Sequence, residues 1–112
     1  MTNVTRAEVD LAVLASTAAP QDRDALALAV RKSLEWFAQE NPGRAVEVRV
    51  PPFKAVQILG GTTHRRGTPP AVVEIVPEIW LQIFTKKLSW NEAAENGKII
   101  ASGERSDLSA LF

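Results

Sequence analysis

An α+β domain, with helices packed on one sheet, is the fold class this sequence predicts. Three observations carry it. Apolar residues up to Pro42 recur at helical spacing, the period drops to two at "VEVRV" from Val46, and prolines and glycines bracket the short apolar runs that follow. A chain of 112 residues fits a single domain over 1–112, with a helical part over 1–42 and the strands over 43–112. No linker and no internal repeat divides it.

Thr5 and Glu8 match a capping box, and Ala7, Leu11, Leu14, Ala15 and Ala18 follow at helical spacing, so a first helix is expected over about Thr5 to Ala18. Pro20 suits a first turn, Asp22 and Asp24 favour the positive end of the next helix, and Leu26, Ala29, Val30, Leu34 and Phe37 form one face. Pro42-Gly43 ends that helix. "VEVRV" alternates apolar and charged residues, which predicts a strand with one buried face, closed by Pro51-Pro52. "KAVQIL" and "AVVEIV" predict two more strands, the second held between Pro69-Pro70 and Pro77. Gly60-Gly61 reads as a turn and "TTHRRGTPP" as a surface loop. Pro77 opens the helix "EIWLQIF", whose apolar residues cover nearly its whole circumference, so it is either central core or the border of a pocket. Ser89 with Glu92 caps a short helix, Gly97 sits where a helix-ending glycine belongs, and "KIIAS" returns as a strand. "SDLSALF" reads as a last helical turn with Ser106 as its N-cap.

Apolar residues make up 46% and charged residues 23%, the profile of an ordinary globular chain. Thirteen basic residues balance thirteen acidic ones, leaving no net field to attract a phosphate backbone, so nucleic acid is not an expected partner. Cysteine is absent, which removes disulfides and thiolate chemistry and suits a reducing cytoplasm. "LAVLASTAAPQ" resembles a short secretory apolar region, but Glu8 and Asp10 stand where a signal needs positive charge, and no apolar run approaches the 18 or so residues of a membrane span.

Candidate chemistry is sparse. His64, the only histidine, lies beside Thr62, Thr63, Arg65 and Arg66 with no orienting partner singled out, and its ordinary reading is a solvated loop residue. A lone histidine with scattered carboxylates matches no metal-ligand spacing, and no cofactor is expected. Ser102, Ser106, Asp107 and Ser109 lack the elbow or lysine pattern of a nucleophile and read as capping residues. Arg65 and Arg66 together suit a phosphate or carboxylate, against the simpler reading of a solvated pair.

The stretches "EVRVPPF", "RGTPPAVVE", "WLQIFTKKLSWNEAAENGKI" and "ASGERSDLSALF", in this order and spacing, resemble the bacterial sterol carrier protein family, most of all its short stand-alone actinobacterial members. The resemblance covers about Gly43 to Phe112; the first two helices share only their alanine-rich helical character. "KKLSW" is more basic than the turn usual at that place. The resemblance implies a mostly antiparallel sheet of four to five strands covered by helices, enclosing a hydrophobic cavity that in animal members takes sterols and fatty acyl chains. Related domains also occur as accessory parts of mycothiol-dependent enzymes. No catalytic motif is carried over, and no enzyme activity is expected. What transfers is a location for an apolar ligand: Ile79, Trp80, Ile83 and Phe84 on the apolar helix, Ile99 and Ile100 on the last strand, and Leu108, Leu111 and Phe112 at the end. Trp80 is the expected reporter of a ligand, ahead of Trp36 and Trp90.

A cavity of that kind sets an energetic condition. Burying a ten-carbon tail releases roughly 8 kcal/mol. Leaving about 300 Å³ of apolar space empty costs on the order of 7 kcal/mol, as much as a small domain's whole stability. The cavity is therefore expected to be filled, partly collapsed, or plugged by Leu111 and Phe112, the last being cheapest for a protein without ligand. Two further readings stand beside the lipid binder. One is an interaction module whose apolar helix packs against a partner or a second copy of the chain as a homodimer; the other is an enzyme using His64 or the arginine loop.

Overall fold

The computed structural model describes residues 3–60, 71–103 and 105–112; His64, Arg65, Arg66 and the expected turn and loop around them lie outside these. The described elements are α1 (Arg6–Ala18), α2 (Arg23–Glu40), β1 (Val46–Val50), β2 (Lys54–Ile58), β3 (Ala71–Ile75), α3 (Pro77–Phe84), α4 (Trp90–Glu95), β4 (Ile99–Ser102) and a terminal 3₁₀ turn (Ser109–Leu111).

Side chains start three of the four helices. Thr5 Oγ1 accepts the Glu8 N–H at 3.1 Å, Asp22 Oδ1 accepts those of Asp24 and Ala25 at 3.0 and 3.1 Å, and Ser89 Oγ accepts that of Glu92 at 3.1 Å. α3 starts on Pro77 instead, which has no N–H to satisfy. α3 and α4 end alike. The Lys98 N–H reaches the Ala93 carbonyl at 2.8 Å around Gly97 at φ +70°, and the Lys87 N–H reaches the Gln82 carbonyl at 2.9 Å around Lys86 at φ +65°. Left-handed backbone is free for glycine and costs a lysine about 1 kcal/mol. Lys86→Gly is therefore expected to raise stability by about 0.5–1 kcal/mol, read as a higher urea midpoint.

α1 and α2 pack as a hairpin, clasped where Gln39 Nε2 donates to the Val4 carbonyl at 2.8 Å and Lys32 approaches Glu8 at 3.4 Å. The face α1 buries is not the one its leucines trace. Val9, Ala12 and Ser16 turn inward, whereas Leu11 and Leu14 are 69% and 67% exposed. Small residues win the interface because they let two helix backbones approach.

The sheet runs β2-β1-β3-β4. β1 with β2 and β3 with β4 are antiparallel, while β3 lies parallel to β1 on its other side. The fold is thus α+β with a four-stranded, mostly antiparallel sheet. Alternation sorts its faces: Val46, Val48, Val50, Ile58, Ala71, Val73 and Ile75 are buried, while Glu47, Arg49, Gln57 and Glu74 hold the opposite face. The buried face meets Val30, Leu34 and Phe37 of α2 and Trp80 and Ile83 of α3 in one core. A layer of helices on one sheet face puts the largest aromatic side chains between the layers.

Candidate functional site

α3 supplies the centre of the site. Pro77, Trp80, Ile83 and Phe84 are buried, and Ile79 and Leu81, on its flanks, are half-buried against the same core. An eight-residue helix apolar on nearly every side needs cover on nearly every side, and α2, α4 and the terminal segment provide it. Trp80 has no exposed surface, and its indole N–H donates to Ser33 Oγ at 2.8 Å. Ser33, itself buried, donates onward to the Val30 carbonyl at 3.0 Å. Both polar groups are thereby satisfied in an apolar setting, and among the described residues no buried side-chain polar atom lacks a partner.

Around the indole stands a set of aromatic rings. Phe37 meets it edge-on at 5.3 Å, Phe84 lies tilted at 5.8 Å, and Phe112 meets it edge-on at 5.9 Å. Phe112 also packs nearly parallel to two further rings. It stacks on Phe37 at 5.1 Å with 14° between planes and on Trp90 at 5.8 Å with 12°. Phe37 and Trp90 thus lie nearly parallel to Phe112 and Trp80 edge-on to it, and the half-buried phenyl of Phe112 fills the slot these three rings border. On the far side Trp36 stands edge-on to Phe84, and the Arg6 guanidinium covers both rings at 4.6 and 4.8 Å from their centroids while pairing with Asp10 at 2.9 Å.

Two contacts hold the segment that carries Phe112. Leu108 is buried in the core, and Asp107 Oδ1 accepts the Ser109 N–H at 3.0 Å. Ser106 is thus not the cap of the last turn: the N-cap position is Leu108, which offers no side-chain hydrogen bond, and Asp107 instead closes an Asx turn onto the Ser109 N–H. That N–H holds the Asp107 carboxyl below its ordinary pKa of 3.8. A depressed folded pKa stabilises the turn above the ordinary value and stops doing so as pH falls through the folded one. Acidification below about pH 4 is thus expected to loosen Phe112 and change tryptophan emission, and Asp107→Asn, which keeps the acceptor oxygen, is expected to abolish that acid response.

A cleft of ≈ 350 Å³ opens beside the slot, floored by Ile83, Trp90 and Phe112 and rimmed by Lys86, Lys87 and Glu92. Among the described residues no three His, Cys, Asp or Glu side chains gather to hold a metal ion, and no helix is long and apolar enough to cross a membrane.

Of the residues expected to line a ligand site, the structure brings together Ile79, Trp80, Ile83, Phe84, Leu108, Leu111 and Phe112. It does not bring Ile100, which is 67% exposed on the outer face of β4. The inward isoleucine is Ile99, paired with Ile75 across the strands. Arg65 and Arg66 lie outside the described residues. Phe37, read from the sequence as core alone, and Trp90, expected to be a poorer reporter than Trp80, both stand against Phe112, Trp90 as close to it as Trp80 is. The pairing of a buried-face aromatic on α2 with an aromatic right after the Ser89 cap was the available signal.

A family model described as "Bacterial SCP ortholog" matches residues 22–112, which include every ring that borders the slot and leave out α1, the residues before it and the turn after it. No curated protein matches the chain.

Proposed function

Because the chain belongs to the bacterial SCP ortholog family, a sterol-carrier-like family, we propose that it is a non-enzymatic binder of a lipid or another apolar small molecule, taken up where Phe112 now lies. The observation that carries this reading is the place of Phe112, a half-buried ring whose centroid lies 5.1–5.9 Å from those of the Phe37, Trp80 and Trp90 rings. The slot's occupant is exchangeable on energetic grounds. Stacking holds Phe112 by about 0.5–1.5 kcal/mol per ring beyond its burial, while a ten-carbon tail gains roughly 8 kcal/mol on leaving water. After an association cost of about 4 kcal/mol or more, about 4 kcal/mol at most is left to such a tail, so a ten-carbon chain competes with the plug at about millimolar concentrations or above, and longer chains at lower ones. The plug in turn spares the unliganded protein an empty apolar hole. The alternative of an interaction module built on α3 finds little support, since Trp80, Ile83 and Phe84 are buried within the chain and offer no flat exposed patch.

A native mass spectrum of the protein purified from its own cells tests the proposal. The expected spectrum shows the chain with a bound lipid-sized mass that collisional activation removes. A bare chain that also stays bare after incubation with fatty acids and sterols would contradict it.

A further inference from the structure

We propose that the α3–α4 turn is a headgroup site, so that the ligand is an amphiphile carrying one carboxylate or phosphate, its apolar part in the slot and its anion on Lys86 and Lys87. This rests on the reading of the slot as a ligand site and adds to it the class of ligand. The cleft rimmed by the two lysines shares Phe112 and Trp90 with the slot, so it is the slot's mouth, and displacing Phe112 would extend it to Phe37 and Trp80.

The charge at this mouth is local. The chain as a whole is neutral. Yet two adjacent lysines line this cleft beside one acidic side chain, Glu92, which already accepts from the Ser89 hydroxyl at 3.2 Å. Among the described residues Lys32 and Lys54 have carboxylate partners, whereas neither Lys86 nor Lys87 has one. Asn91, which lines the same cleft, adds amide hydrogen-bond donors for an oxyanion.

The backbone makes the second argument. Two helices of this chain end in the same hydrogen-bond pattern with a left-handed residue at the same place. α4 uses Gly97, where a side chain would meet nothing within 4 Å, and α3 uses Lys86, at φ +65°. A left-handed conformation held by a residue other than glycine, at the edge of a cleft, is strain of the kind that accompanies a binding role. Here the strained position places a lysine in the lining of the cleft, and a glycine there would remove the charge along with the strain.

The test titrates dodecanoate below its micellar concentration, dodecanol and acetate into the ligand-free protein, and into a Lys86→Gly, Lys87→Gln variant shown by circular dichroism to be folded. Both substitutions suit the turn's backbone, so the variant keeps the fold while losing both charges. The expected result is that the wild-type chain binds dodecanoate about tenfold tighter than dodecanol, that the variant binds both alike at the dodecanol level, and that acetate binds neither measurably. Added salt is expected to narrow the wild-type preference. Equal binding of dodecanoate and dodecanol by the wild type overturns the headgroup site while leaving the slot intact. Acetate binding as tight as dodecanoate also overturns it, by showing an anion site that needs no tail. Failure of both twelve-carbon ligands to bind the wild type overturns the slot, and the headgroup site with it.

Discussion

Trp80→Ala is expected to lower the folding free energy by about 3–5 kcal/mol, a large part of what a domain of this size has to lose. The indole is fully buried, borders three aromatic rings, and satisfies the buried Ser33 hydroxyl at 2.8 Å. Truncation therefore opens a large cavity and removes a hydrogen bond at once. Ser33→Ala separates the two contributions: it leaves the packing and strands only the indole N–H, at an expected cost of about 1–3 kcal/mol. Urea midpoints of the two variants measure both effects, and a Trp80→Ala loss no larger than that of Ser33→Ala would show that the ring cluster contributes little.

A comparable loss is expected from Gly43→Ala, for a different reason. Gly43 has φ +144°, and a Cβ placed there would lie 1.9 Å from the Leu59 carbonyl carbon and 2.1 Å from the Gly60 nitrogen. Both are backbone atoms, so no side chain can rotate away. The strand ends that must separate are those joined by the Ala45 N–H to the Ile58 and Leu59 carbonyls, and by the Leu59 N–H to the Asn41 carbonyl. Those bonds align β1 with β2 and hold both to the end of α2. A backbone clash of this depth is expected to cost about 4 kcal/mol or more, seen as loss of folded protein at ordinary temperature, whereas Gly60→Ala, whose added carbon would come no nearer than 3.5 Å, is expected to be tolerated.

Much of this architecture was legible in the sequence because local chemistry decides it. Alternation at "VEVRV" and "AVVEI", the caps at Thr5 and Ser89 and the glycine at position 97 each have a cause within a few residues, and each stands where it was read. What local chemistry does not decide was missed. The leucine stripe on α1 pointed to the wrong face, because small residues, not large ones, made the close contact with α2. Ile99 and Ile100 are equivalent by composition, and only the register against β3 sends Ile99 inward. The parallel pairing of β1 and β3 depends on where the chain returns after β2, which no strand pattern records. For the site, the apolar excess of "EIWLQIF" located the centre, and the walls came from α2 and α4, whose approach is a tertiary fact.

The central claim is that Phe112 occupies a place meant for a ligand. It is tested most directly by titrating a long-chain fatty acid and a sterol into ligand-free Trp36→Phe protein, with and without Phe112→Ala, and following the emission of Trp80 and Trp90. The account predicts a saturable emission change with at least one of the two ligands, and about tenfold tighter apparent binding once Phe112 is truncated, since the ligand no longer has to displace the plug. No emission change with either ligand in the folded protein would contradict it, and so would weaker binding by the Phe112→Ala chain, which would make Phe112 a wall of the site and not its occupant.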